Sequence, residues 1–187
     1  MTSAPKRLSY EARILVVPLG GSGHSLVEAM AAGSLTNIRI VTDAGQSAAS
    51  VRDIHGAVGT EFTETVADLA ASADMMILLG SDLPQVPAGF VATLARAARA
   101  HGVLLAGVLV DQQNWEATEG ADAMAVLRRE LDMLVSVREV GLATAFIDVL
   151  KGGRRRPADA GTTPQAATPA TAATAASTSE NTGRGAS

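Results

Sequence analysis

Apolar runs and segments of helical periodicity alternate along the chain from about residue 11 to residue 150. Five short, nearly continuous apolar runs predict strands that are buried on both faces of a sheet: Arg13–Leu19, Ile38–Thr42, Asp74–Leu79, Val103–Val110 and Asp132–Val137. Segments with a helical spacing of apolar residues predict helices at Ser25–Gly33, Gln46–Ile54, Glu61–Ala71, Ala88–His101, Glu119–Glu130 and Val140–Leu150. This alternation predicts an α/β fold with a doubly wound, mainly parallel sheet and helices on both faces.

The composition changes abruptly after Leu150. Residues Lys151–Ser187 are nearly all Ala, Thr, Gly, Pro and Ser, and they include no Val, Ile, Leu, Phe or Met. Such a segment has nothing to bury in a core, so we expect a disordered tail. The polar start of the chain leads to the same expectation for residues 1–10. One folded domain is therefore predicted, over residues 11–150.

Composition and charge narrow the classes of function. The net charge of -4 does not favour binding to a phosphate backbone, and an aromatic content of 3% does not favour stacking on bases. No nucleic-acid partner is therefore expected. The absence of cysteine excludes thiolate catalysis and Cys-ligated metals, and it fits a cytoplasmic protein. The longest apolar run, Gly102–Val110, is too short to span a bilayer, so no integral membrane segment is expected. His24, His55 and His101 share no ligand spacing, so no metal site is expected.

The turn after the first predicted strand is the strongest candidate for chemistry. It reads Gly20-Gly21-Ser22-Gly23-His24-Ser25 and leads into a predicted helix. Glycines allow close approach of a phosphate, and free amides at a helix start can bind it. Asp43, at the end of the second strand, is placed for a ribose hydroxyl, although Leu26 stands where a dinucleotide fingerprint has its third glycine. The turn therefore predicts a phosphate or nucleotide site, with a tight turn that binds nothing as the alternative.

Several segments resemble the nucleotide-binding half of the FtsZ/tubulin superfamily. Pro18–Val27 is similar to the family's first loop, GxGGGGGNAV, and Val41–Ala44 is similar to its NTDA. From Ala73 to Glu116 the chain is similar to the family segment that begins ADMVF and ends NFEG, and Leu131–Leu134 is similar to HVDxLI. The resemblance implies a Rossmann-like fold that binds GTP or GDP. The residues that it places at the nucleotide are Gly20, Gly21, Ser22, Gly23, His24, Ser25, Asp43, Ala44, Gly89 and Glu116.

The departures from that family predict a loss of its activity. Its phosphate loop, GGGTGTG, falls on Leu83–Gly89, where only Gly89 is retained and two prolines remove amide donors. Asp82 adds a negative charge beside that segment. The second domain and the acidic activating loop of the family have no counterpart here. We therefore expect weak or absent binding of GTP or GDP and no catalytic residue.

Three functions follow from these observations. The first is a degenerate FtsZ-like pseudo-GTPase that acts by protein binding and regulates or caps filaments of FtsZ or another filament-forming protein. The second is a small nucleotide- or dinucleotide-binding enzyme or sensor that uses Gly20–Gly23 and Asp43. The third is a scaffold whose loops have no ligand. Nothing in the sequence selects a nucleophile, because Ser22 and Ser25 have no evident His and Asp partners.

Overall fold

Strands and helices follow one another through the part of the chain that the structure, a computed structural model, describes: residues 10–33, 35–45 and 47–152. Within these residues the strands are β1 (Ile14–Pro18), β2 (Ile38–Ala44), β3 (Ala48–Asp53), β4 (Phe62–Thr65), β5 (Met75–Asp82), β6 (Leu104–Gln113) and β7 (Met133–Val137). The helices are α1 (Gly20–Ala31), α2 (Val66–Ser72), α3 (Ala88–His101), α4 (Thr118–Glu130) and α5 (Val140–Lys151), and a 3-10 turn spans Leu83–Gln85. Of the tail expected over residues 151–187, residues 153–187 lie outside the described part, and so do residues 1–9 of the expected N-terminal segment.

One sheet contains all of these strands, in the order β4-β3-β2-β1-β5-β6-β7. Strands β2, β1, β5, β6 and β7 are parallel, and β3 and β4 are antiparallel at one edge. In β1 every residue is buried, because this central strand has a neighbour on each side and helices on each face. The prediction of an α/β fold with a doubly wound, mainly parallel sheet is confirmed.

The two faces of the sheet carry separate hydrophobic cores. On one face, Leu15 and Val17 of β1 pack with the apolar sides of α2, α3 and α4. On the other face, Ile14 and Val16 pack with α1 and α5. Alternate residues of one strand therefore serve opposite layers, as the pleat of a strand requires.

Two of the predicted helices are wrong in whole or in part. The segment predicted as a helix at Gln46–Ile54 is largely the strand β3, in which Ala49 and Val51 are buried and Ser50 between them is only partly so. That burial has the two-residue period of a strand, and pairing with β2 outweighs the helical preference of the alanines. The helix predicted at Glu61–Ala71 begins only at Val66, because Thr65 accepts a hydrogen bond from the Asp68 N–H and caps the helix there.

The ends of the described part are held to each other and to the sheet. Helix α5 extends through Lys151, one residue past the predicted boundary, and Gly152 forms a β-bridge with Glu11. The buried Lys151 ammonium donates to the Thr36 carbonyl at 3.0 Å, and the Lys151 carbonyl accepts from the Ala12 N–H at 2.8 Å. Tyr10, which falls in the segment expected to be disordered, donates its hydroxyl to Asp74 at 2.8 Å.

Candidate functional site

The carboxyl ends of β1, β5 and β6 meet at one edge of the sheet. Three segments follow them there, with residues 20–25 after β1, residues 82–87 at the end of β5 and after it, and residues 111–117 at the end of β6 and after it. We call these three segments the loop surface. The chain leaves β1 for β2 on one side, while β5 lies on the other side of β1. Such a switch point is where ligands bind in open parallel sheets.

The glycine-rich segment is the first part of α1 instead of a loop before it. Helix α1 begins at Gly20, five residues before the predicted start, and Gly20 itself has a left-handed backbone with φ 67°. The residue before it, Leu19, provides no side-chain cap. The first amides of α1 therefore need acceptors from elsewhere, which is the property that makes a helix start attractive to an anion.

A side chain of the same protein lies against this helix start. The Gln85 carboxamide oxygen Oε1 accepts a hydrogen bond from the Ser22 N–H at 3.3 Å. A methyl group placed on Gly20 would be 2.6 Å from Gln85 Cβ, which is closer than atoms can approach. The missing side chain of Gly20 thus makes room for Gln85.

Asp82 and Asn114 hold Gln85 in this place. The Gln85 Nε2 group donates to Asp82 Oδ2, and Asn114 Nδ2 donates to Asp82 Oδ1 at 2.7 Å. Ser22 closes the arrangement, because its Oγ accepts from the Asp82 N–H at 3.3 Å. We call Ser22, Asp82, Gln85 and Asn114 the Gln85 network. This network joins the ends of β1, β5 and β6 through neutral amides and one carboxylate, that of Asp82, which accepts from both Gln85 and Asn114.

The segment after β6 is shaped to present an aromatic side chain. Asn114 has a left-handed backbone with φ 56°, a conformation that Asn tolerates better than most residues. Helix α4 packs tightly behind it, since a methyl group on Gly120 would be 1.9 Å from the Asn114 carbonyl oxygen. Trp115 follows with 56% of its surface exposed, and Glu116 is exposed beside it.

The loop surface is acidic in its charged groups. Residues 20–25, 82–87 and 111–117, together with the end of β2 at residues 43–45, contain Asp43, Asp82, Asp111 and Glu116 but neither lysine nor arginine. A nucleotide triphosphate bound here would have no cationic side chain from these segments. Such cations are the usual neutralising partners of phosphates.

Among the predicted site residues of α1, the structure separates those near the Gln85 network from the rest. Gly20 and Ser22 contact Gln85, and Gly21 is exposed beside it. Gly23 is buried and packs against the backbone of β1 and β5. The exposed residues His24 and Ser25 lie on α1, with Ser25 Oγ donating to the Gly21 carbonyl at 3.3 Å.

The other predicted site residues lie on separate elements. Asp43 and Ala44 are the exposed last residues of β2, where they pair with Ser50 and Ala49 of β3. Gly89 is exposed in the first turn of α3, and Glu116 is exposed in the segment after β6. Among the hydrogen bonds of the described residues, none joins these four to the start of α1.

The residues that organise the site are ones that the glycine pattern does not indicate. Gln85 and Asn114 were not predicted as site residues, and Asp82 was considered only as a source of repulsion. The signal available in the sequence was the partial resemblance of Leu83–Gly89 to a glycine-rich phosphate loop, and that resemblance does not identify the residue that fills the space.

Two comparisons with known proteins gave no match. No family model matches the chain, and no curated protein matches it. In residues 10–33, 35–45 and 47–152 no helix is long and apolar enough to cross a membrane. The same residues contain no cluster of three or more His, Asp or Glu side chains arranged to bind a metal ion.

Proposed function

We propose that this protein is a non-catalytic binding protein, a degenerate FtsZ-like pseudo-GTPase that acts on other proteins through its loop surface. One observation carries this proposal: the Gln85 side chain lies on the start of α1, with Oε1 accepting from the Ser22 N–H. That amide is among the donors that a phosphate would use in a protein of this fold.

Binding a phosphate at α1 would require Gln85 to leave its present contacts. Its Nε2 would lose Asp82 as an acceptor, and Asp82 would then face the incoming anion. The surrounding segments supply no lysine or arginine to offset that repulsion. Both effects oppose binding of GTP, so we expect GTP turnover at the level of the buffer.

Features of the same surface suit a protein partner. Trp115 offers an exposed aromatic side chain, and Trp is among the residues most enriched at the energetic centres of interfaces. The Gln85 network fixes the segments around it, so little conformational entropy remains to be lost on binding. The resemblance to FtsZ suggests a partner, because the nucleotide face of that family meets the next subunit of a filament. We therefore propose FtsZ or another filament-forming protein as the partner.

Titration calorimetry with GTP and GDP tests the loss of nucleotide binding. We expect no binding heat from the natural protein. Gln85→Ala uncovers the Ser22 amide and therefore tests whether the Gln85 side chain blocks that donor. Gln113→Ala, at another exposed glutamine of the loop surface, is its matched control. Micromolar GTP binding by the natural protein that is abolished by Gly21→Val would overturn this part of the proposal.

Light scattering of the host's FtsZ with GTP tests the protein-binding function. We expect sub-stoichiometric amounts of this protein to lower the polymer mass, and Trp115→Ala to remove the effect. Phe62→Ala removes a half-exposed aromatic residue from β4, at the opposite edge of the sheet, and should leave the effect intact. Unchanged polymer mass and turnover, together with no co-sedimentation, would rule out this partner.

The exposed carboxylate of Asp43 favours a second candidate function, binding of a dinucleotide. Asp43 lies at the carboxyl end of β2, which pairs with β1, so it is near the position that contacts a ribose hydroxyl in dinucleotide-binding folds. Calorimetry with NAD and ATP tests it. Binding of NAD that is lost in Asp43→Ala and kept in Asp53→Ala would select this function over the pseudo-GTPase.

A further inference from the structure

Strand β7 leaves one side of its backbone without a strand partner in the part of the chain that the structure describes. Leu104 N–H donates to the Asp74 carbonyl of the β5 side, so in β6 the next residue, Leu105, and then Gly107 face β7. Gly107 is level with Leu134, and a parallel ladder therefore joins Gly107 to the residues that flank Leu134. The backbone groups of Leu134 and Ser136 consequently point away from the sheet.

An apolar stripe on α5 flanks this free edge. Thr144 lies on the side of α5 nearest α1, because a methyl group on Gly33, just after α1, would be 3.8 Å from Thr144 Cγ2. Leu142, Phe146 and Val149 lie on the opposite side of the helix, at a spacing of four and three residues. Leu142 is 55% exposed and Val149 is 77% exposed. Since α5 packs over β6 and β7, this side of the helix faces the free edge of β7.

The charges at the two ends of β7 match those of a second, antiparallel β7. Asp132 precedes the strand and Arg138 follows it, each three residues from Val135. Two strands paired antiparallel about Val135 would place Asp132 opposite Arg138 of the other copy on the same face of the sheet. Asp132 is held against the start of β6, because its N–H donates to the Leu105 carbonyl at 2.9 Å and its Oδ2 accepts from the Leu105 N–H, which leaves Oδ1 available. Arg138 has no salt bridge among the described residues.

The backbone pattern agrees with the same register. Pairing about Val135 sets Leu134 opposite Ser136 of the second copy, and these are the two residues whose N–H and C=O groups point outward. Each such pair exchanges two hydrogen bonds, so the register satisfies the free edge in both copies. On the α5 face it brings the two Val135 side chains together beside the two apolar stripes.

We propose that two copies of this chain form a twofold dimer through antiparallel pairing of β7 about Val135, with the Leu142–Phe146–Val149 stripes packed beside it. A twofold interface needs a surface that is complementary to itself, and this edge is self-complementary in charge, hydrogen bonding and apolar contacts. The pairing also covers a sheet edge that would otherwise invite aggregation. This inference is independent of the proposed function, because it uses none of the loop surface.

Sedimentation equilibrium of the full chain tests the dimer. We expect a mass twice the 19.0 kDa of one chain. Leu142→Glu places a charge in the stripe, and Ser136→Pro removes an outward N–H without touching the ladder to β6. Each should weaken dimerisation by about tenfold or more, with an unchanged far-UV circular dichroism spectrum. Ala67→Glu, an exposed position of α2, is the charge-matched control and should remain dimeric.

Single-cysteine variants test the register, because the natural chain contains no cysteine. In the proposed pairing the two Val135 residues form a non-hydrogen-bonded pair, with Cα atoms about 4.5 Å apart, and that distance suits a disulfide. Oxidised Val135→Cys should therefore give a covalent dimer. Val137→Cys, half-buried like Val135, lies opposite Met133 of the other copy and should not cross-link. A monomer at every concentration, or cross-linking of Val137→Cys in preference to Val135→Cys, would overturn the proposal.

Discussion

Three glycines after β1 have different neighbours and hence different tolerances. Gly20 has a positive φ and faces Gln85, so both its backbone and its contact exclude a side chain. Gly21 is exposed, with only the Gln85 carboxamide near it. Gly23 is buried where α1 crosses the sheet, and a methyl group on it would be 2.5 Å from the Leu79 carbonyl oxygen. The glycine-rich appearance of this segment therefore reflects internal packing at two of the three positions.

This difference predicts that substitution by alanine changes the stability much more at Gly23 than at Gly21. Gly23→Ala should destabilise the protein by about 1–3 kcal/mol, because the added methyl group meets backbone atoms that cannot rotate away. Gly21→Ala, two positions earlier in the same helix turn, should change the free energy of unfolding by less than about 0.5 kcal/mol. Urea denaturation of the two variants measures the contrast. Equal stabilities would contradict the packing described for Gly23.

The glycine pattern indicates that this turn needs free space, but it does not indicate that the Gln85 side chain fills that space. A glycine shows that space or a positive φ is needed, and the needed space can serve a phosphate or a neighbouring side chain equally well. Which of these fills it depends on the path of residues 83–85, and that path is set by the 3-10 turn, by the hydrogen bond that Gln85 donates to Asp82 and by the one that Asn114 donates to Asp82. The contacts of Asn114 with Asp82 and of Gln85 with Ser22 join residues far apart in the sequence, so local patterns do not contain them.

A second residue-scale feature is a carboxylate that holds the start of β1. Asp74 accepts from the Arg13 N–H at 2.8 Å and from the Arg13 guanidinium at 2.8 Å, and it also accepts from the Tyr10 hydroxyl. The hydrogen bonds from Arg13, followed by the one from Tyr10, hold the pKa of Asp74 well below its ordinary value of 3.8. The charged form of this side chain is therefore favoured in the folded protein.

The depressed pKa predicts how the contribution of Asp74 depends on pH. The unfolded chain binds a proton to this group at a higher pH than the folded protein does, so the stabilisation is complete above the ordinary pKa and declines as the pH falls below about 4. Asp74→Asn should thus cost stability at pH 7 and cost progressively less towards pH 3. Urea titrations at several pH values measure this. Asp122→Asn, at an exposed position of α4 whose carboxylate makes no hydrogen bond among the described residues, should show no comparable trend.

At the scale of elements, the long periodic segments were predictable, whereas the antiparallel edge formed by β3 and β4 was not. The central parallel strands β1 and β5, together with α3, follow from apolar runs and helical spacing in the sequence. β3 was missed because its short alternation, with Ala49 and Val51 inward, is weak and Ala is a strong helix former. The strand forms because β2 offers a hydrogen-bonding edge, with a turn closed by Gly45 N–H and the Ala48 carbonyl. Pairing of this kind is a tertiary effect.

Helix α3 carries a prediction about Gly89, a residue that the sequence analysis expected at a nucleotide. Gly89 lies in the first turn of α3, where a side chain would meet open space beyond the helix's own backbone, and its φ is not positive. Alanine restricts the unfolded chain more than glycine does and fits the helix without strain. Gly89→Ala should therefore raise the free energy of unfolding by about 0.4–1 kcal/mol. A marked loss of stability would contradict the open space around Gly89.

At the scale of the whole molecule, the two proposed binding surfaces lie on different parts of the sheet. The loop surface lies at the carboxyl ends of β1, β5 and β6, whereas the dimer surface is the free edge of β7 and one side of α5. Antiparallel pairing of β7 reverses the strand direction between the copies. The two loop surfaces of the proposed dimer consequently face opposite ways, so each can bind a partner without meeting the other.

The closing contacts of the described part predict where the chain can be shortened. Ending it at Gly152 keeps the hydrogen bonds of Lys151 to Ala12 and Thr36 and the bridge between Gly152 and Glu11. Because residues 153–187 contain no large apolar side chain, this shortened chain should melt at the same temperature as the full chain. Ending it at Leu150 removes those contacts, at about 1 kcal/mol for each hydrogen bond, and should lower the melting temperature by roughly 5–10 °C. Calorimetric melting of both shortened chains is the measurement. Lys151→Met in the full chain separates the contact of the Lys151 side chain from those of the backbone. A large drop in melting temperature for the chain ending at Gly152 would show that residues 153–187 contribute to the stability of the fold.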